Sequence, residues 1–227
     1  MEVVSFTVNE HARAAISIPE YVSIVDINNA VKDFSSVRNI GNNNLLLIGK
    51  EIDTKGFALS VKGNNNNIIL GSRSVLRGNI SIGGNNITVF IGSNTTFDKV
   101  GIFCKGNNHG VYIGKDCMFS SGIEIRTSDS HSVIDLEKME KTNHPDGVYI
   151  GDHVWIGKNA FIQKGSFIND DNIVGFGAFI NGVFHDSHTK IVGTPAKAIK
   201  KSKVTWSRKG NPIIDETIYD WKLLSLL

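Results

Sequence analysis

Ile150-Gly-Asp-His-Val-Trp-Ile156-Gly-Lys-Asn-Ala-Phe-Ile162-Gln-Lys-Gly-Ser-Phe-Ile168-Asn-Asp-Asp-Asn-Ile-Val174-Gly-Phe-Gly-Ala-Phe-Ile180 carries an aliphatic residue at every sixth position. A helix needs apolar residues three and four apart, and a half-buried strand alternates over a short stretch, so a sustained beat of six fits neither. It fits short strands joined by sharp corners. The beat runs upstream through Leu70, Leu76 and Ile82, through Ile91, Phe97 and Phe103, and through Ile113, Phe119 and Ile125. A longer repeat encloses it. Gly-Asn-Asn begins at Gly41, Gly63, Gly84 and Gly106, spaced 22, 21 and 22 residues apart, and leads each time into a run ending at Ile48-Gly49, Leu70-Gly71, Ile91-Gly92 or Ile113-Gly114. A fixed period of this length marks stacked coils. Three six-residue sides and one short corner account for it, with Gly and Asn at the corner because both tolerate a left-handed backbone. Every sixth side chain then points inward, and coils about 4.8 Å apart pair as parallel strands.

The run from Ile150 to Ala160, together with Gly193-Thr-Pro-Ala-Lys197, resembles the repeat signature of the hexapeptide-repeat acyltransferases. The likeness covers residues 41–200 and implies an all-β chain folded as a left-handed parallel β-helix. The hand comes from the resemblance alone, because parallel crossovers are otherwise right-handed nearly always. The expected organisation has three parts. Residues 1–40, with a possible strand over 3–8, form a cap or arm covering the edge strands of the first coil; 41–190 form the solenoid, with a loop inserted at 126–147; 191–227 form a coenzyme-A-proximal segment and tail. The tail is expected to end in a short helix over 215–227, with Ile218, Trp221 and Leu224 on one stripe.

Composition sets limits on function. With 227 residues, 41% hydrophobic and 20% charged, the chain can bury a long narrow core. A net charge of +2 supplies no global field for nucleic acid. No stretch reaches the length of a membrane span, and the start Met1-Glu-Val-Val-Ser lacks the basic opening of a signal peptide, so the cytoplasm is the expected location. Two cysteines do not suggest a disulfide framework. Cys117 falls at a small-residue position of its hexapeptide and reads as core rather than nucleophile.

Gly110-Val-Tyr-Ile113-Gly and Gly147-Val-Tyr-Ile150-Gly match residue for residue, yet lie 37 apart instead of 22. The excess is a polar insertion that must project from the prism, and long loops on rigid scaffolds often carry binding or catalytic groups. At its start stands Asp129-Ser-His131. An imidazole titrating near neutrality can take a proton from a hydroxyl, although a loop histidine is more often merely solvated. The resemblance favours the catalytic reading, because sugar-directed members place a catalytic histidine in this loop and a tryptophan 24 residues later, the spacing of His131 and Trp155. Trp155 otherwise reads as an aromatic packed on the outer wall. Asp129 is a candidate for fixing the imidazole tautomer, with Asp135 behind it. His131 follows the third side of one coil and Trp155 ends the first side of the next, so a face about 20 Å long separates them at 3.3 Å per residue. They can share a site only across a subunit boundary, which predicts a homotrimer, the assembly usual in the resembled family.

Gly193-Thr194-Pro195-Ala-Lys197 resembles the segment closing over the adenosine end of coenzyme A. From Lys190 to Lys209 there are seven Lys or Arg and no Asp or Glu, namely Lys190, Lys197, Lys200, Lys201, Lys203, Arg208 and Lys209. Such a segment suits the cofactor phosphates, or is simply a solvated face. The resemblance assigns Lys190, Thr194, Pro195, Lys197, Lys200 and Lys201 to the cofactor. The pantetheine arm is expected beside Gly157, Ala160, Gly175 and Gly177, where small residues let a ligand reach the backbone.

The resemblance is nearest to O-acetyltransferases acting on capsular or surface polysaccharides such as sialic-acid polymers. It implies acetyl-coenzyme A as cosubstrate, a saccharide acceptor, direct transfer with His131 as base, and no metal. Three other readings remain: N-acetylation of an amino sugar, a γ-type carbonic anhydrase, and a non-catalytic solenoid. His185-x-x-His188 is a weak ligand pair, and the Asn-rich corners are better explained by turn chemistry than as a binding ladder.

Overall fold

The computed structural model describes residues 3–9, 12–17, 23–27, 34–201 and 203–212. The helix expected over 215–227 lies outside them. The six-residue beat folds as read, into a parallel β-solenoid with three flat faces. The first face stacks Leu45–Ile48, Asn67–Leu70, Thr88–Ile91, Gly110–Ile113, Val148–Ile150, Phe167–Ile168 and Val183–Phe184. Its inward column, Ile48, Leu70, Ile91, Ile113, Ile150, Ile168 and Phe184, is in register from coil to coil. The second face contributes Phe97, Phe119, Ile156, Val174 and Ile191; the third contributes Leu59, Ile80, Ile102, Ile125, Ile162 and Ile180. These columns meet in one continuous core along the axis. Each buried aliphatic side chain contributes about 1.5–3 kcal/mol, so the regular beat itself supplies the driving force.

One position of the beat is corrected. Phe103 faces outward, and the inward residues of that strand are Ile102 and Cys104. The coil below it has one residue more at the corner between the second and third faces, Gly122 with φ +73°, and the register shifts there. Counting by six across a corner of variable length therefore slips by one.

The Gly-Asn-Asn corner joins the third face to the first. Asn43, Asn65, Asn86 and Asn108 all adopt φ between 56° and 61°. The backbone N–H of Asn42, Asn64 and Asn85 donates to the side-chain oxygen of Asn64, Asn85 and Asn107, each at 2.8 Å. Buried Asn66 donates to the Gly84 carbonyl, so the corner's polar groups are satisfied inside the stack. Both cysteines are fully buried, and burial pushes the Cys104 thiol up to about 12 and Cys117 higher still. Neither is poised as a thiolate nucleophile.

The amino-terminal arm does more than cover one end. Ser23–Asp26 pairs antiparallel with Leu45–Ile48 at the start of the first face. The hairpin of Val3–Asn9 and Ala12–Ser17 instead lies beside the middle coils, where a Cβ on Gly147 would fall 1.6 Å from the Val8 carbonyl oxygen. Beyond the last coil, Lys190–Gly193 and Ala196–Ile199 form an antiparallel hairpin. No helix among the described residues is long and apolar enough to cross a membrane.

Candidate active site

The projecting loop leaves the third face after Arg126, on the corner that the Asn ladder occupies in earlier coils. Thr127 is buried, with its hydroxyl 2.7 Å from His109 Nε2, and Pro145 packs over Gly106 so closely that a Cβ there would fall 2.7 Å from its ring. Within the loop, Ile134–Asp135 pairs with Glu140–Lys141. Its root is fastened by Asp129, whose carboxylate accepts from Lys164 Nζ at 2.6 Å, from Asn143 Nδ2 at 2.8 Å and from Gln163 Nε2 at 3.1 Å. The Lys164 ammonium holds the Asp129 carboxyl below the usual carboxylate range. None of these partners is an imidazole, so Asp129 acts here as the anchor between loop and coil. Asp135 accepts from the backbone N–H of Glu137 and Lys138 at the loop tip. Asn143 also donates to the His131 carbonyl at 2.8 Å, which leaves the His131 ring exposed on a tethered backbone.

Trp155 opens the second face, stacked between Met118 and Ile173, and is 37% exposed. The first face of its coil lies between it and the loop, as the spacing requires. Its neighbour is one that the sequence did not flag. After the hairpin, the tail turns back along the corner between the first and second faces, with Val204 N–H bonded to the His188 carbonyl. Trp206, 6% exposed, stacks on His153 and lies 6.2 Å from Trp155. Arg208, counted above with the phosphate-suited cations, is instead engaged by Asp116, Thr96 and the carbonyls of Asn94 and Cys117. A Trp among the cations of the basic segment was the available signal.

The expected cofactor residues fall into separate groups. Gly157, Gly175 and Gly177 lie on the corner between the second and third faces. A Cβ on Gly157 would come 2.8 Å from the Phe176 nitrogen, and one on Gly175 2.8 Å from Val192 Cγ1. Those two glycines therefore serve close packing of the coils. Gly177, at φ +64°, has nothing within 4 Å and leaves an open wall, while Phe176 beside it projects into solvent. Ala160 turns its methyl into the core, contrary to its expected place on that wall. The hairpin tip joins this corner: Thr194 Oγ1 donates to the Gly177 carbonyl at 3.3 Å, Pro195 follows, and Lys197 stands opposite Val192. Lys190 pairs with Ile199 at the other end of the hairpin, about 10 Å from the tip at 3.3 Å per residue. Lys200 and Lys201 lie beyond that end, and Lys200 is paired with Asp186, which lowers the Asp186 pKa. Among the expected cations, the tip therefore brings only Lys197 close to the open glycine wall.

The arrangement offers an exposed imidazole on an anchored stalk, an indole on a flat wall, and an open corner roofed by a hairpin. No family model matches the sequence. The polysialic acid O-acetyltransferase of Neisseria meningitidis is 34% identical over 116 residues, 50% of this chain, and the match spans 53% of that protein, about half its length. The crystal structure of the polysialic acid O-acetyltransferase OatWY is 33% identical, covering 84% of this chain and 98% of that one, with a TM-score of 0.67. The polySia-specific acetyltransferase NeuO, 22% identical with a TM-score of 0.76 over 86% of this chain and 99% of that one, shares the fold.

Proposed function

Because this chain belongs to the polysialic acid O-acetyltransferase family of left-handed β-helix acyltransferases, we propose that it transfers acetyl from acetyl-coenzyme A to a hydroxyl of a capsular sialic-acid polymer. The observation that carries this reading is the likeness at 33% identity along 98% of a solved polysialic acid O-acetyltransferase. The proposed location is the cytoplasm. His131 removes the acceptor proton as the hydroxyl oxygen attacks the thioester carbonyl carbon. The tetrahedral intermediate collapses with loss of the thiolate, which takes the proton from the imidazolium. Trp155 walls the site and offers its indole N–H to the developing oxyanion, where a fixed donor is most effective. The pantetheine arm follows the open corner at Gly177 toward Thr194 and Pro195, with Lys197 near the phosphates.

A homotrimer completes the site by bringing His131 of one copy to Trp155 of the next. Two features support this assembly. Within one copy the first face separates the two residues, and the loop carries an exposed apolar tip, with Leu136 82% and Met139 76% exposed. The decisive experiment is acetyl transfer to polysialic acid by the wild type and by His131→Ala, with acetyl-coenzyme A binding followed by thermal shift. Loss of transfer of about a hundredfold or more, with the donor shift retained, is expected from removal of a general base. Equal activity in the variant rejects His131 as the base.

A further inference from the structure

The outer wall of the third face carries an unassigned groove. The residue directly before each Gly-Asn-Asn stacks there in register as Ile40, Lys62, Gly83 and Lys105. The neighbouring outward row runs Arg38, Ser60, Ser81, Phe103 and Arg126. Together they border a groove of about 540 Å³ that continues onto the loop root at Ser128 and Ser130, next to His131 in the chain. Gly83 keeps it open, because a Cβ there would meet nothing closer than 3.7 Å. The lining holds four cations and no carboxylate. Arg126 is paired with Glu124 and lies over the Phe103 ring at 4.9 Å, whereas Arg38, Lys62 and Lys105 are exposed and have no ion pair among the described residues.

The spacing follows from the coils. Lys62 and Lys105 are two coils apart, roughly 10 Å, and Arg38 to Arg126 spans four, roughly 19 Å, at 4.8 Å per coil. Three cations with no ion pair among the described residues, on one wall of a chain with net charge +2, are a local concentration of positive charge. We propose that this groove holds an extended anionic polysaccharide along the solenoid axis. Arg38, Lys62 and Lys105 meet carboxylates of the chain, Ser60 and Ser81 bond its hydroxyls, and the chain is led to His131. The inference rests on the acyl-transfer reading and extends it to how a polymer is held. Longer chains bind more tightly until they reach Arg38.

The test is titration of labelled polysialic acid of defined lengths onto the wild type, Arg38→Gln/Lys62→Gln/Lys105→Gln, and Lys55→Gln, an exposed lysine outside the groove. Exposed charge pairs are individually weak, so three removed together are expected to raise Kd about tenfold at low salt and to flatten its salt dependence. Lys55→Gln should match the wild type, and carboxyl-reduced polymer should bind weakly without distinguishing the triple variant. An unchanged melting temperature and donor shift establish that the variants fold. A triple variant that binds polymer like the wild type, while the wild type acetylates it, overturns the groove alone. A wild type that neither binds nor acetylates polysialic acid overturns the acceptor reading and the groove with it. Tighter binding of a labelled oligonucleotide than of polysialic acid also overturns the proposal.

Discussion

The Trp206 indole N–H donates to the His153 carbonyl oxygen at 2.8 Å, and its ring stacks on the His153 imidazole with centroids 4.3 Å apart and planes 10° from parallel. His153 Nδ1 in turn lies 2.6 Å from Asp171 Oδ1, and Trp206 borders Trp155 on its other side. The tail therefore bears on the candidate site through one indole. Trp206→Ala is expected to cost about 3–5 kcal/mol in denaturant unfolding, as for a buried aromatic. Trp206→Phe, which loses mainly the N–H bond, is expected to cost about 1 kcal/mol. With its neighbour removed, Trp155 loses an aromatic contact, so kcat in the Ala variant should fall more than KM for acetyl-coenzyme A rises, while the Phe variant should keep most of kcat. An Ala variant as stable as the wild type would show that the tail does not pack.

Asp129 joins the loop to the coil through Lys164. Its carboxyl titrates below the ordinary value of 3.8 in the folded protein. The contribution is therefore complete above the unfolded value and is lost as pH falls through the lower folded value. Amide protection factors across 129–143, relative to the intrinsic rates at each pH, should hold from neutral pH down to about 4 and fall below it. Asp129→Asn should exchange several-fold faster at pH 7 and lose most of that pH dependence. Identical exchange in the two proteins would remove the ion pair as the anchor.

The solenoid was legible because its signal is repeated. Each inward residue recurs six positions on, and each Gly-Asn-Asn marks a corner whose backbone needs positive φ. Phe103 was misplaced because its own coil has one corner residue fewer than the next, where Gly122 stands, and a missing residue leaves no mark on composition. The partners of the tail were not legible for a different reason. Trp206 meets His153 from 53 residues away and Arg208 meets Asp116 from 92, separations that no local pattern encodes. The repeat also encodes the cationic row. Lys62 and Lys105 stand directly before their Gly-Asn-Asn copies, so the period alone places them on one row.

The loop tip exposes Leu136 and Met139 almost fully, with Val133 57% exposed beside them. Isolated exposed apolar residues are ordinary, but several on one projecting tip mark an interaction surface. Leu136→Ser/Met139→Ser should lower the trimer fraction measured by light scattering at micromolar concentration. Activity should fall in parallel if, as proposed, the site takes His131 and Trp155 from different copies. A double variant that stays trimeric and fully active places the subunit contact elsewhere. A wild type that is monomeric and active would end the shared-site proposal.

Gly177 offers the most direct probe of the donor wall. Its φ of +64° matches the 58° of Asn159, which occupies the same corner one coil earlier, so asparagine is compatible with this backbone. The space around it is empty, so Gly177→Asn should leave stability within about 0.5 kcal/mol of the wild type. The new side chain would stand where the pantetheine arm is proposed to run, under the Thr194 contact to the Gly177 carbonyl. KM for acetyl-coenzyme A should therefore rise several-fold while thermal unfolding without ligand stays unchanged, and the donor-induced shift at fixed concentration should shrink. An unchanged KM, with the fold intact, would move the cofactor off this corner.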